Sequence, residues 1–79
     1  MSEFTPDMTL DAKGLKCPMP VVKTSKMIKD VPVGGILEVL ATDPGSIADI
    51  TAWAKSTGNE LLHAGKDSGI FKFYIRRNS

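Results

Sequence analysis

The chain has 79 residues, enough for one domain, and a domain of that size buries only about 60% of the surface its unfolded chain exposes. So thin a core excludes a large enclosed substrate pocket and assigns any chemistry to the surface. Lysine plus arginine outnumber aspartate plus glutamate by 10 to 9, no apolar run nears the ~20 residues of a bilayer span, and the first residues carry no signal-peptide pattern, so neither nucleic acid nor a membrane exerts a global pull.

Residues 1–7 read as a flexible leader and residues 8–79 as a single domain. Met8, Leu10 and Ala12 alternate with Thr9 and Asp11, the pattern of a short half-buried strand. Lys13-Gly14 breaks it. A first helix is expected from about Pro18 to Asp30, with Val21, Thr24, Ser25, Met27, Ile28 and Val31 on one side and Lys23, Lys26, Lys29 and Asp30 on the other. Val31-Pro32-Val33-Gly34-Gly35 turns the chain. Ile36 to Thr42 forms the second strand, with Leu37, Val39 and Ala41 on one face. After the Asp43-Pro44-Gly45 turn, Ser46 is expected as an N-cap with Asp49 in the capping-box position. The second helix runs to about Thr57, with Ile47, Ile50, Trp53 and Ala54 toward the core and Gly58 as its stop. A hairpin closes the chain: Glu60 to Ala64, a turn over Gly65-Lys66-Asp67-Ser68-Gly69, and Ile70 to Arg76 with Phe71, Phe73 and Ile75 inward and Lys72, Tyr74 and Arg76 outward. The order βαβαββ predicts an α+β two-layer sandwich, a four-stranded mixed sheet with both helices on one face.

The chemistry concentrates at Leu15-Lys16-Cys17-Pro18-Met19-Pro20. Cys17 is the only cysteine, so no internal disulfide can form. A lone thiol is ordinary in a reducing compartment, and a cytoplasmic location is expected. Prolines favour the first turn of a helix, where a missing N–H costs nothing, so Pro18 and Pro20 put Cys17 at a helix start. There the helix dipole and the free N–H groups of Met19, Val21 and Val22 are expected to favour thiolate and to lower the thiol pKa. Lys16 is a candidate to help stabilise the thiolate. Asp11 is expected to anchor the motif loop, with Gly14 as its break. Lys23 and Lys26 are a candidate docking face for an acidic partner. His63 reads as an ordinary strand residue, since a base role requires it to reach Cys17. One histidine and one cysteine do not make a metal site, and neither metal nor cofactor is expected. Asp43 and Ser46 read as the turn and cap of the second helix, Trp53 as core edge, and Met19 as the exposed apolar contact beside the sulfur.

Leu10-Asp11-Ala12-Lys13-Gly14-Leu15-Lys16-Cys17-Pro18-Met19-Pro20, followed by Gly34 or Gly35 before Leu37-Glu38-Val39, then Thr42-Asp43-Pro44 and Asp49-Ile50, resembles the signature of the TusA family, also called SirA-like. The resemblance covers about residues 9 to 77. It implies a small two-layer sulfur carrier in which Cys17 takes a sulfane sulfur as a persulfide and passes it on. Implied donors are a cysteine desulfurase or a rhodanese-type sulfurtransferase; implied acceptors belong to tRNA thiolation or dissimilatory sulfur oxidation, and some relatives are linked to thiosulfate uptake or selenium metabolism. Met19 stands where tRNA-thiolation members carry an acidic residue. With no second cysteine the sulfur must leave to another molecule, through transient complexes of a monomer. Two other classes compete: an RNA- or protein-binding adaptor using Lys72, Tyr74, Arg76 and Arg77, and a redox sensor whose Cys17 oxidises to sulfenic acid.

Overall fold

A computed structural model describes residues 5–78. Residues 1–4, part of the expected leader, lie outside the described residues. Alternation in Met8–Ala12 buries Leu10 and Ala12 and makes strand β1. Helix α1 spans Met19–Met27 and tightens into a 3-10 turn over Ile28–Asp30. Strand β2 is Ile36–Ala41, helix α2 Ser46–Thr57, strand β3 Glu60–Asp67 and strand β4 Ile70–Arg76. The βαβαββ order and the two-layer α+β architecture are those read from the sequence.

The sheet order is β1-β2-β4-β3. β1 and β2 are parallel, with Met8 opposite Leu37 and Ala12 opposite Ala41. β4 runs antiparallel to β2, with Val39 opposite Phe73. β3 pairs antiparallel with β4, and a bulge between Leu61 and His63 leaves Leu62 as the extra residue. The core lies between the sheet and the helices: Leu10, Ala12, Leu37, Val39, Ala41, Phe71, Phe73 and Ile75 meet Ile28, Val31 and Ile50.

Three expectations are corrected. The closing turn is not five residues but the two-residue pair Ser68-Gly69, both at positive φ (53° and 81°), the geometry whose twist matches a hairpin. Gly65, Lys66 and Asp67 continue the ladder opposite Lys72, Phe71 and Ile70; ladder pairing overrides their turn-like composition. Tyr74 faces away from the helices as expected, yet it is buried, with its ring 5.8 Å from that of His63. Ile47 is 41% exposed rather than in the core. The buried line of α2 is Ser46, Ile50 and Ala54, and Ile47 falls to one side of it.

The first and last segments of the domain are tied down at one end of the sandwich, where β1 and β2 begin and β4 finishes. Asp7, assigned to the leader from the sequence, donates its N–H to the Ile36 carbonyl at 2.8 Å and accepts the Ile36 N–H at 2.8 Å. Arg77 donates to the Val31 and Lys29 carbonyls at 2.7 and 3.1 Å, which fastens the end of β4 to the close of the first helix. Leu37 is fully buried at the sheet centre. Leu37→Ala should cost about 2–5 kcal/mol, a large share of the roughly 4–12 kcal/mol expected for a domain this size, read as a lower urea midpoint by circular dichroism.

Candidate functional site

The parallel pairing of β1 with β2 brings the C-terminal ends of both strands to one edge of the sheet. The two loops that follow leave side by side. In the first, Leu15 N–H returns to the Ala12 carbonyl at 3.2 Å. Gly14 occupies the third position of that turn at φ +83°, a conformation that costs a side-chain-bearing residue roughly 1–2 kcal/mol. Asp11 accepts the Lys13 N–H at 3.0 Å. Gly14 N–H donates to Thr42 Oγ1 at 2.9 Å, which bonds the first loop to the second. Leu15 then packs against the core, and Cys17 emerges exposed two residues before α1.

The second loop is built by Asp43, whose carboxylate accepts the Gly45 N–H at 3.0 Å and whose carbonyl accepts the Ser46 N–H at 3.0 Å. The expected capping box does not form. Gly45 is the N-cap of α2, and Ser46 is its first helical residue, with a buried hydroxyl. Asp49, freed from capping, points at the other loop: the Cys17 thiol donates its hydrogen to Asp49 Oδ2. Close packing makes this reach feasible. A methyl group built on Gly45 would lie 3.8 Å from Cys17 Cβ and 3.9 Å from Asp49 Oδ2.

This contact reverses the electrostatic expectation. The thiol pKa is raised, first by the hydrogen bond to Asp49, then by partial loss of solvent to the surrounding protein, and then by the negative charges of Asp49 and Asp43. A hydrogen bond made by the neutral form disfavours the ion. Of the three N–H groups expected to hold a thiolate, two are engaged elsewhere. Met19 N–H is spent on the Lys16 carbonyl at 2.8 Å and Val22 N–H on the Pro18 carbonyl at 3.1 Å. A helix end is worth about half a charge, against a full carboxylate in contact. Lys16 supplies its backbone carbonyl to the motif turn, and no lysine offsets the two carboxylates at the sulfur.

The thiol opens onto a shallow groove of about 410 Å³ lined by Cys17, Pro18, Val21, Asp49, Ala52, Trp53 and Ser56. Trp53 is both core edge and groove wall. Met19 and Val22 are exposed on α1, beside the exposed Lys23 and Lys26; Pro20 is buried and accepts the Thr24 hydroxyl at 2.7 Å. His63 pairs with Tyr74 on the sheet face away from the helices, so the fold does not bring it to Cys17. The outward basic residues of β4 and its extension are engaged within the chain. Lys72 lies 4.0 Å from Glu38, Arg76 donates through Nε to Glu60 at 3.1 Å, and Arg77 holds the carbonyls named above. The Lys72 and Arg76 side chains remain about half exposed, with their charge partly offset by Glu38 and Glu60.

Residues 8–77 match the family model described as sulfurtransferase TusA. The chain belongs to the TusA family of sulfur carrier proteins. It is 44% identical over 78 residues to the sulfur carrier protein TusA of Allochromatium vinosum, covering 99% of this chain and 100% of that one. It is 53% identical over 70 residues to YrkF of Bacillus subtilis (strain 168), covering 89% of this chain but only 38% of YrkF. Among solved structures, the SirA-like protein of Desulfitobacterium hafniense superposes with a TM-score of 0.72 at 29% identity, covering 91% of this chain and 99% of that one. Family membership implies sulfur-relay partners. Among the described residues no helix is long and apolar enough to cross a membrane.

The residue that sequence reasoning placed wrongly in this TusA-family site is Asp49. Its spacing from Ser46 fits a cap equally well, and only the adjacency of the two loops reveals its contact with Cys17. Asp49→Asn removes a negative charge beside the thiol and puts an amide N–H donor in place of one carboxylate oxygen; both changes favour thiolate, so the titration midpoint should fall. Thiolate ultraviolet absorbance followed against pH should rise at lower pH in Asp49→Asn than in the wild type. Asp43→Asn should move it the same way by less, since Asp43 acts on the sulfur through charge alone.

Proposed function

We propose that this protein carries sulfane sulfur as a persulfide on Cys17 and relays it between two partner proteins in the cytoplasm. The observation that carries the reading is the exposed, solitary thiol at the head of α1 and at the mouth of an open groove. A carrier must offer one sulfur atom to two different surfaces, and an open groove admits both.

The reaction is exchange between sulfur atoms. The Cys17 sulfur attacks the terminal sulfur of a donor persulfide. The Sγ–S bond forms as the donor S–S bond breaks, and the donor leaves as a thiol. In the second half, an acceptor thiolate attacks the terminal sulfur, the Sγ–S bond breaks, and the electron pair returns to Sγ. One cysteine sulfur is oxidised as another is reduced, so no external oxidant enters. The donor is a cysteine desulfurase or a rhodanese-type protein, and the acceptor belongs to tRNA thiolation, sulfur oxidation or a related relay. Met19, apolar and 40% exposed beside the sulfur, favours a relay other than tRNA thiolation. Pro18 and Pro20 stiffen the motif. Lys23 and Lys26 speed encounter with acidic partner surfaces, and the protein works as a monomer in transient complexes. The raised thiol pKa counts against a peroxide sensor, since oxidation to sulfenic acid follows thiolate character.

Incubation with a cysteine desulfurase plus cysteine, or with thiosulfate plus a rhodanese, should add the mass of one sulfur atom to the intact protein. Dithiothreitol should remove it, and Cys17→Ser should never gain it. A wild-type protein that stays unmodified with both donors would overturn the reading.

A further inference from the structure

We propose that Asp49 is the acid–base residue of both half-reactions, taking the proton from Cys17 Sγ as sulfur is loaded and returning one to Sγ as sulfur leaves. This rests on the persulfide-carrier reading. Three observations support it. Asp49 Oδ2 already accepts the Cys17 S–H hydrogen, so the proton path exists in the resting protein. Asp49 also lines the groove into which Cys17 opens, so the carboxylate stays at the sulfur where partners arrive. Asp43, the other carboxylate acting on the thiol, accepts the Gly45 N–H and acts on Sγ through charge alone, and His63 lies on the far face of the sheet. Among the described side chains, Asp49 is the one hydrogen-bonded to Cys17 Sγ.

The chemistry requires such a group. A thiol held neutral by neighbouring carboxylates is a poor nucleophile until its proton departs, and as a leaving group a basic sulfur departs slowly unless it is protonated on the way out. One carboxyl group meets both needs. On loading, Sγ attacks the donor's terminal sulfur while its proton passes to Asp49 Oδ2; the donor sulfur keeps the electron pair of the broken bond and is protonated by solvent. The proton taken on loading is the one returned on unloading, so the cycle balances within the site. On unloading, the acceptor thiolate forms its new S–S bond, the Sγ–S pair returns to Sγ, and Asp49 supplies the proton. A positioned acid–base group contributes typically ~10²–10⁴-fold in rate.

The test sets two reactions of one sulfur against each other. Alkylation by iodoacetamide consumes thiolate and needs no acid. Sulfur release from the loaded protein to a small thiol such as cysteine needs a protonated leaving sulfur. In Asp49→Asn, alkylation near neutral pH should become several-fold faster, because more thiolate is present, whereas release of sulfur to cysteine should slow at least ~10-fold. Asp49→Glu, which keeps the carboxyl group, should recover part of the transfer rate. If alkylation and transfer both accelerate in Asp49→Asn, the carboxylate merely suppresses thiolate and the proposal falls. It falls too if transfer is unchanged, or if Asp49→Glu transfers as slowly as Asp49→Asn. A wild-type protein that never loads would instead sink the carrier reading, so the two failures are separable. Thermal melts of both variants, followed by circular dichroism, establish that each is folded at the assay temperature.

Discussion

The site depends on the parallel pairing of β1 with β2. Antiparallel neighbours would send their following loops to opposite edges of the sheet. Parallel ones send them to the same edge, and the in-register pair Ala12 and Ala41 starts both loops at the same height. Everything that matters to Cys17 follows from this. The motif loop and the start of α2 become neighbours, and Gly14 can bond to Thr42 across the gap. A carboxylate 32 positions further along the chain meets the thiol. Ligand sites of open α/β sheets gather at the carboxyl ends of strands for the same topological reason.

The electrostatics of the thiol show a local rule losing to a tertiary contact. A cysteine at a helix start is ordinarily pushed toward thiolate. Here the first-turn N–H groups of Met19 and Val22 are used by backbone carbonyls, and the sulfur faces Asp49 and Asp43 instead. The outcome is a sulfur that rests protonated. That suits a carrier better than a permanently ionised thiol would. An exposed thiolate is open to oxidants at all times, whereas a protonated sulfur is oxidised less readily. Its intrinsic nucleophilicity is also higher, since reactivity per thiolate rises with pKa.

The sequence made β1, β2 and β4 legible because each obeys a single period. Met8, Leu10 and Ala12 alternate on β1, Leu37, Val39 and Ala41 on β2, and Phe71, Phe73 and Ile75 on β4, and in each strand the most buried residues are among those read as inward. The motif prolines marked the head of α1 correctly to within a residue. The errors have a common cause. Gly65-Lys66-Asp67 carries turn residues but is held in the ladder by partners on β4. Tyr74 alternates outward yet is shielded by a neighbour on β3. Asp49 fits a cap by spacing but is recruited by a loop from elsewhere in the chain. In each case a cross-strand or cross-loop partner decided the matter, across a tight hairpin for Gly65-Lys66-Asp67 and 32 positions away for Asp49, and the periodicity of one element carries no record of its partner. The exposed place of Cys17 ahead of α1 was legible because its signals are adjacent in the chain; the carboxylate that accepts its hydrogen was not.

The rigidity of the surrounding scaffold bears on function as much as the thiol does. A sulfur that must be reached by a donor and then by an acceptor has to present the same geometry twice, and loops tend to be the mobile part of a small domain. This chain restrains them with polar ties rather than a large core. Asp11 and Thr42 hold the motif loop to both strands, Asp43 closes the turn into α2, and Leu15 anchors the middle of the motif loop in the apolar layer. What remains free is the short stretch around Cys17 and the apolar rim of Met19 and Val22. In a 79-residue domain with too little interior to enclose a substrate, this division of labour leaves selectivity to the partner's surface and leaves to the carrier the two properties it can fix alone: where the sulfur sits and when it gives up its proton.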